Sequence, residues 1–384
     1  MRILFITNCL DMGGIETNVR RLTAELSGQG HTVTVAGQPG RLSQSIRDAG
    51  GRTLDLHLHP VSPLNLLHDL IRLRRLLARE VDIVHVFAAK AAVFLRIAQT
   101  TIRKSARPEV IASLMGVQSS LGEAPWKTRL RAWATLVGSN TVVVTSPAIG
   151  DLINDVNTGS RRMVTASVVG VAIPEEPDCG HKASLRSSLG LGASDIVVLT
   201  IGRLNSTKSH DLFIQAASII ASRRPDVVFL VVGGGELLDQ LEDLRDSVGL
   251  AGRLCFLGER DDVSDLLSIT DVYVRPGVVE GFVGITVLEA QAMGVPVVSF
   301  DTRDVRPAIT DSVSGLLAKP GDTSQLAEAI LRLVEDPGLA STIGEAGKEH
   351  FRREFWLDSI VADLTDIYMS TIATASGPNR YDAP

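Results

Sequence analysis

Cysteine is scarce in this chain of 384 residues, which contains only three. Cys9, Cys179 and Cys255 are far apart and form no CxxC pair, so we expect neither a disulfide framework nor a zinc site. Long hydrophobic runs are also missing. No stretch approaches the roughly 18 apolar residues that span a bilayer, and the N-terminal apolar run is too short for a signal peptide. These absences predict a soluble protein of the cytosol.

Composition narrows the class further. The chain is 45% hydrophobic and 21% charged, values typical of a soluble protein with a large core. Collagen, a disordered tail and a coiled coil are excluded on this ground. The length favours two or three domains of ordinary size.

A strand-then-helix alternation runs through the chain and predicts parallel sheets covered by helices on both faces. The predicted strands are Arg2–Thr7, His31–Ala36, Asp82–Phe87, Val110–Leu114, Thr141–Thr145, Ile196–Ile201, Val227–Val232, Leu254–Leu257, Val272–Val274 and Pro296–Phe300. The alternation stops at residues 169–177, where two prolines and two acidic residues are typical of a linker. We therefore predict two doubly wound domains, residues 1–172 and 173–355. A C-terminal helix and tail, residues 356–384, would follow and pack back on the first domain.

Two strand-to-helix turns have features of an anion site. The first places Gly13 and Gly14 before a helix, where backbone N–H groups and the helix dipole attract an anion. The second, Gly202–Lys208, places Arg203 and Lys208 near a helix N-terminus, where a cation opposes the dipole unless an anion is bound. The alternatives are an ordinary glycine turn and two solvated surface cations.

Two later turns extend the pattern. Gly233-Gly-Gly-Glu236 removes side chains that would block a ligand, although glycine-rich turns are common. In Pro276–Ala290 a loop carries Glu280 and the following helix carries Glu289. Glu289 could accept hydrogen bonds from ribose hydroxyls, or simply favour the helix dipole. The dipole explains Glu280 less well.

These four turns, in this order and across two α/β domains, resemble the retaining family-4 (group 1) glycosyltransferases of the GT-B fold. The resemblance covers nearly the whole chain and includes Gly-Gly-x-Glu16, Phe256-Leu-Gly258 and Gly294-Val-Pro-Val-Val298. It implies two Rossmann-like domains that face each other across a cleft. The acceptor would bind on the N-terminal side and the nucleotide sugar in the C-terminal domain.

The resemblance also implies an activity and a set of site residues. A sugar would move with retention from a nucleoside diphosphate to a saccharide, lipid-linked or small-molecule acceptor, without a cofactor, a bound metal or nucleic acid. Arg203 and Lys208 would clamp the diphosphate, Glu289 would hold the ribose and Glu280 the transferred sugar. The implied catalytic residues are Glu280, Arg203 and Lys208, and the implied donor-binding residues are Gly13, Gly14, Gly202, Gly234, Gly281, Phe282, Gly284, Ile285, Thr286 and Glu289.

Two features depart from the family pattern. The two glutamates are nine residues apart, where eight is usual, because the loop between Gly281 and Gly284 has one extra residue. The segment after the strand Val110–Leu114 continues with Met115, where family members often have a histidine. We interpret the histidines nearest in the pattern, His85 and His210, as structural.

The departures keep two alternatives open. One is a protein that binds a nucleotide sugar without turnover, and the other is a GT-B-like nucleotide-sugar epimerase. Donor turnover with and without an acceptor separates them from a transferase. A dehydrogenase is disfavoured, because the first turn lacks the dinucleotide glycine spacing and an acidic residue placed to bind ribose.

Charge is unevenly divided along the chain. Residues 1–175 hold 20 basic and 13 acidic residues, a balance of +7, whereas the whole chain carries −6. Arg72, Arg75 and Arg79 share one helical face, and Trp126, Leu130 and Trp133 form an apolar face with Lys127, Arg129 and Arg131 close by. This pattern predicts peripheral contact with an anionic membrane. The alternative is that both tryptophans lie in the core and the arginines are merely solvated.

Overall fold

A computed structural model divides the chain into two compact units. One unit combines the described residues up to Gly170 with the segment that starts at Leu357, and the other runs from Val171 to Trp356. The structure describes residues 1–11, 14–57, 63–114, 125–145, 147–156, 162–173, 176–278 and 284–375. The predicted sites at Gly13, Met115, Glu280, Gly281 and Phe282 lie outside these ranges.

The first unit is built on a parallel sheet. Its strands are β1 Arg2–Cys9, β2 Thr32–Gln38, β3 Arg52–Asp55, β4 Ile83–Val86, β5 Glu109–Ser113, β6 Thr141–Val144 and β7 Arg162–Thr165. Within the described residues they lie in the order β3-β2-β1-β4-β5-β6-β7, with Ile3 opposite both Val33 and Ile83.

The second unit has a parallel sheet of its own. Its strands are β8 Ile196–Ile201, β9 Val227–Val232, β10 Leu254–Phe256, β11 Val272–Arg275, β12 Val297–Phe300 and β13 Leu316–Ala318. Their order over the described part of the chain is β10-β9-β8-β11-β12-β13. Val198 pairs with Phe229 on one side and with Val272 on the other.

Helices separate most of the strands along the chain. They are α1 Gly14–Gly28, α2 Leu42–Asp48, α3 Pro63–Arg79, α4 Ala89–Thr100, α5 Pro125–Leu136, α6 Pro147–Val156, α7 Cys179–Ser188, α8 His210–Arg223, α9 Leu238–Ser247, α10 Val263–Ser268, α11 Ile285–Ala292, α12 Thr323–Glu335, α13 Pro337–Glu354 and α14 Leu357–Ala375. Among the described residues, none of these helices combines the length and the hydrophobicity that crossing a membrane requires.

The prediction of parallel sheets is confirmed, and burial explains why the central strands could be identified. In β1 the run from Ile3 to Ile6 is almost wholly excluded from solvent, as is Val197–Leu199 in β8. Strands covered on both faces need such continuous apolar runs. The strand prediction omitted β3, β7 and β13, each of which lies at the edge of its sheet. β3 and β7 contain charged residues and are not fully buried, so their sequences lack this signal, whereas β13 is a mostly buried run of only three residues.

The strand order fixes where a ligand site is expected. In the first unit β2 and β3 are added on one side of β1, and β4 is then added on its other side. The order in which strands are added reverses in the same way between β8 and β11 in the second unit. Open parallel sheets bind ligands beyond the carboxyl ends of the strands at such a reversal. In the second unit a ligand site is therefore expected at the loops after β8 and β11.

Candidate functional site

The loop after β8 presents the two predicted cations differently. Lys208 is half-buried, whereas Arg203 is exposed. The side chain of Asn205 accepts hydrogen bonds from the backbone N–H of Thr207 at 3.2 Å and from its hydroxyl at 2.8 Å, which tightens the loop. A Cβ at Gly202 would lie 3.4 Å from Cγ and Cδ of Lys208. The lysine stem therefore lies close to the backbone of Gly202, at a distance at which a Cβ would just touch it.

A recess opens at the carboxyl ends of β8 and β11, at the reversal in strand order. Residues of β8, the following loop, β11 and the start of α11 line it: Thr200, Ile201, Lys208, His210, Tyr273, Arg275, Pro276, Gly277, Gly284 and Thr286. Three predicted site residues, Lys208, Gly284 and Thr286, line this recess. A fourth, Gly202, lies next to the side chain of Lys208. Arg203 and Glu289 are not in this lining.

The N-terminus of α11 points a hydroxyl group and backbone N–H groups toward the recess. Gly284 precedes the helix with φ 72°, a conformation that favours glycine. Thr286, in the first turn, accepts a hydrogen bond of 2.6 Å from the phenol of Tyr273. Tyr273 is only 1% exposed, so its ring fixes the Thr286 side chain against β11. A helix N-terminus of this kind attracts anions.

Thr200 adds a second hydroxyl to the recess. Its side chain is fully buried on β8, and its Oγ1 has no hydrogen-bond partner among the described residues. A buried polar group without a partner costs free energy, which a bound water or ligand would recover. His210, which we had interpreted as structural from the sequence, is also buried and lines the recess.

Arg275, which lines the recess, belongs to a buried ion pair. Arg275 Nη2 lies 2.7 Å from Asp304 Oδ2, and both side chains are 5% exposed. Arg275 Nη1 also donates to Thr302 Oγ1 at 3.1 Å and, at 3.4 Å, to the carbonyl oxygen of Gly277. The arginine thereby links β11 to the loop after β12. The sequence analysis missed this pair, because the two residues are 29 positions apart.

The glycine-rich turn after β9 has a packing role that the sequence did not predict. A Cβ at Gly233, which has φ 137°, would lie 2.0 Å from the carbonyl oxygen of Gly202. The backbone N–H of Leu204 donates to the carbonyl oxygen of Gly234 at 2.9 Å. These glycines therefore let the loops after β8 and β9 lie against each other. Gly234 is not in the recess lining, and donor binding by it stays a prediction.

The remaining predicted residues lie elsewhere. Glu289 is half-buried on α11, one turn after Ile285. Gly14 is the exposed first residue of α1 in the other unit. The roles predicted for these residues are not decided by their positions.

His85 forms a separate buried network in the first unit. Its Nδ1 lies 2.8 Å from the hydroxyl of Tyr368 on α14, and its Nε2 lies 2.7 Å from Ser113 Oγ. The side chain is fully buried, and burial lowers the pKa of His85 to about 3. Burial raises the pKa of Tyr368. His85 is therefore a neutral core histidine, as the sequence analysis predicted.

Two family models match this chain. Residues 13–168 match the "Glycosyl transferase 4-like domain", and residues 182–350 match "Glycosyl transferases group 1". The second match contains the whole loop after β8, both strands of the recess and α11.

Curated relatives and solved structures agree with these models. The chain is 31% identical to D-inositol 3-phosphate glycosyltransferase from Salinispora arenicola over 71% of this chain and 60% of that protein. It is 29% identical to the lipopolysaccharide core biosynthesis glycosyltransferase LpsE from Rhizobium meliloti over 67% of this chain and 69% of the relative. The crystal structure of Anabaena HepE with UDP and glucose superimposes with a TM-score of 0.84 at 21% identity, covering 96% of this chain and 100% of HepE.

The chain spans 60% of the length of the Salinispora relative, so that alignment supports a family rather than a complete activity. At 21% identity, HepE shows the fold alone. That fold is GT-B, with two parallel-sheet α/β units, as the sequence analysis predicted.

Proposed function

Because the chain belongs to the group 1 glycosyl transferases, we propose that it transfers a sugar from a nucleoside diphosphate to an acceptor with retention at the anomeric carbon. The bond between the anomeric carbon and the diphosphate oxygen breaks, and a bond to an acceptor oxygen forms. The diphosphate leaves with the electron pair, and the acceptor loses its proton. The structures of HepE with UDP and with UDP-glucose are those of a protein with this fold that binds such a donor.

The recess after β8 and β11 is the observation that carries the proposal. It combines a half-buried lysine, a helix N-terminus and the hydroxyls of Thr200 and Thr286. These groups all favour an oxyanion, and none in this set carries negative charge. Negative charge grows on the diphosphate as the glycosidic bond breaks, so groups that bind it tightly also stabilise the transition state.

Each site residue then has a distinct role. Lys208 and Arg203 hold the diphosphate from the loop after β8, and the first backbone N–H groups of α11 hold it from the other side. Glu289 accepts hydrogen bonds from the ribose, and Glu280 faces the transferred sugar. The proposal needs no bound metal, because these cations and helix amides neutralise the leaving group.

The acceptor is proposed to be a saccharide, a lipid-linked glycan or a small alcohol. The relatives named above act, by their names, on inositol 3-phosphate and in lipopolysaccharide core biosynthesis. A lipid-linked acceptor would place the chain at the cytoplasmic face of a membrane. The basic first unit is suited to peripheral contact with such a membrane. The proposed location is therefore the cytoplasm, with peripheral binding to the inner face of the membrane.

Ligand-induced stabilisation tests the donor class directly. UDP, GDP, ADP and their sugars are each added, and the melting temperature of the chain is measured. A ligand present at 100 times its Kd stabilises the folded chain by about 2.7 kcal/mol. Release of the nucleoside diphosphate with and without acceptor then distinguishes transfer from the two alternatives. A shift without release would indicate a binding protein, and a new nucleotide sugar without acceptor would indicate an epimerase.

The two glutamates test the assignment within the site. Glu289→Ala is expected to weaken binding of the bare nucleoside diphosphate, whereas Glu280→Ala is expected to leave it unchanged and to lower turnover. Calorimetry with the nucleotide that gives the largest thermal shift measures both. Equal loss of nucleotide affinity in the two variants would contradict the separate roles.

A further inference from the structure

Helices α3, α4 and α5 of the first unit carry charge of almost one sign. Together they contain nine Lys and Arg residues and a single acidic residue, Asp69. Asp69 is 1% exposed and accepts hydrogen bonds from the backbone N–H of His57 at 2.8 Å and from its ring. No acidic group of these three helices therefore reaches the solvent within the described residues.

The same three helices expose large apolar side chains. They hold nine of the 14 exposed large hydrophobic side chains in the described residues. On α5, Trp126 is 61% exposed, Leu130 is 52% exposed and Trp133 is 45% exposed. Neither tryptophan is therefore a core residue, which removes that part of the alternative raised from the sequence. Lys127 lies over the Trp126 ring, 5.9 Å from its centroid, so charge and apolar surface alternate closely.

The neighbouring helices continue this surface. α3 packs against α4, and α4 packs against α5, so their outer sides adjoin. On α3, Leu64 and Leu67 are 77% and 56% exposed, and Arg75 lies exposed two turns later. On α4, Val93 and Ile97 are exposed one turn apart, with Arg96 exposed beside them. The result is one broad surface rather than a single helix stripe.

The structure also corrects one part of the sequence hypothesis. Arg72 does not act as a free surface cation, because its guanidinium donates to the carbonyl oxygen of Asp55 at 3.3 Å and approaches Asp69. The exposed arginines of α3 include Arg74, Arg75 and Arg79. Substitution of Arg72 would therefore change packing as well as surface charge.

We propose that the outer sides of α3, α4 and α5 form a docking face for an anionic lipid bilayer. Tryptophan and leucine side chains among cations are suited to the boundary between headgroups and acyl chains. Each cation near an anionic leaflet contributes about a fivefold gain in partitioning, so several together give reversible, salt-sensitive binding. The proposal rests on the proposed function only in that a lipid-linked acceptor would be met there.

Charge complementarity favours a bilayer over a protein partner. The centre of a protein interface concentrates apolar contacts and is depleted in charged residues as a class, although arginine and tryptophan occur there. Here the apolar side chains are spread over three helices and interspersed with lysines and arginines. An anionic lipid surface attracts the exposed cations of this face together, without a matching set of acidic residues.

Vesicle co-sedimentation of the full chain is the test. The vesicles contain phosphatidylcholine alone or with 30% phosphatidylglycerol, at low and high salt. The charge variant is Arg75→Glu/Lys127→Glu, and its matched control is Lys319→Glu/Arg352→Glu, which makes the same charge change at exposed positions of the second unit. The apolar variant is Trp126→Ser/Trp133→Ser, with Val313→Ser as its control.

We expect binding only to the anionic vesicles, with a decrease at high salt. The charge variant should lower the partition coefficient at least about tenfold, and the tryptophan variant at least about fivefold, while both controls stay within twofold. Equal binding to neutral and anionic vesicles, or equal losses in variants and controls, would overturn the proposal. So would self-association of the chain that the tryptophan variant abolishes, because the face would then be a protein interface. The nucleotide-induced thermal shift is measured on the same samples, so a failure of membrane docking is distinguished from a failure of donor binding.

Discussion

The docking face of the first unit and the recess of the second both collect cations, but they hold them differently. On α3, α4 and α5 the side chains of Arg75 and Lys127 extend into solvent. At the recess, Lys208 lies against Gly202, and Arg275 is bound by Asp304 within the core. Exposed cations keep their hydration and rotamer freedom, so they attract a broad anionic surface weakly. Cations held by packing lose both on folding and can recognise one group in one geometry.

The largest difference that we expect between the two regions is in the stability lost when an ion pair is broken. Asp304→Ala leaves the Arg275 charge buried without its carboxylate, and removal of one partner of such a pair costs about 3–5 kcal/mol. Asp155→Ala removes an ion pair of 3.0 Å with Arg129 on α5, where both side chains are more than half exposed, and should cost less than about 1 kcal/mol. Urea unfolding followed by circular dichroism measures both. Similar losses in the two variants would mean that burial does not distinguish the two regions.

The second prediction concerns catalysis. Lys208→Ala or Arg203→Ala should lower kcat/KM at least about a hundredfold, the scale of losing one donor that stabilises developing charge. The matched variant is Arg75→Glu/Lys127→Glu, which should stay within twofold with a water-soluble acceptor, because its cations lie on the docking face. Steady-state kinetics on purified protein decide the point. Near wild-type turnover in both variants of the loop after β8 would refute the diphosphate clamp.

The third prediction tests whether the behaviour of an ionisable group follows from its burial rather than from the unit in which it lies. His85 lies in the first unit but is fully buried, and its pKa is lowered to about 3. The unfolded chain binds a proton there near pH 6.5 and the folded chain does not, so stability falls as pH decreases from 6.5 toward 3. The loss between pH 7 and pH 5 should be about 2 kcal/mol from this group.

His85→Gln provides the comparison for that prediction. The variant lacks the titratable ring, so its loss of stability between pH 7 and pH 5 should be smaller than that of the wild type by the same amount. Urea unfolding at the two pH values measures the difference, independently of how much the substitution itself destabilises the fold. An unchanged pH dependence would show that folding does not lower the pKa of His85.

The smallest expected effect is at the Tyr273–Thr286 contact. Tyr273→Phe removes the hydrogen bond of 2.6 Å that orients the Thr286 hydroxyl, and should raise the Kd of the nucleoside diphosphate about fivefold, equivalent to about 1 kcal/mol. Thr286→Val should do the same, whereas Thr286→Ser should retain affinity. The double variant should lose no more than either single variant, because both remove one interaction. Additive losses measured by calorimetry would contradict the pairing.

Much of the fold follows from short-range sequence features. Helix α12 begins at Thr323 because Asp322 caps it by accepting a hydrogen bond of 3.0 Å from the backbone N–H of Gln325, a contact between residues close together in the chain. The central strands could be identified because burial on both faces demands uninterrupted apolar residues. The motifs around Arg203, Lys208 and Gly284 could be identified in the sequence by their resemblance to those of the family. Two of these three, Lys208 and Gly284, line the recess.

Local sequence thus determined the central strands, the capped helices and the membership of the family, because each depends on residues close together in the chain. Tertiary structure decided the edge strands β3 and β7, whose sequences contain charged residues and no continuous apolar run. It also decided that Thr200 lies with Thr286 at one recess and that Trp126 lies in solvent rather than in the core. Tertiary structure likewise brought Arg275 and Asp304 together. Burial and long-range contact are properties of the assembled sheets and helices, and no spacing in the sequence encodes them.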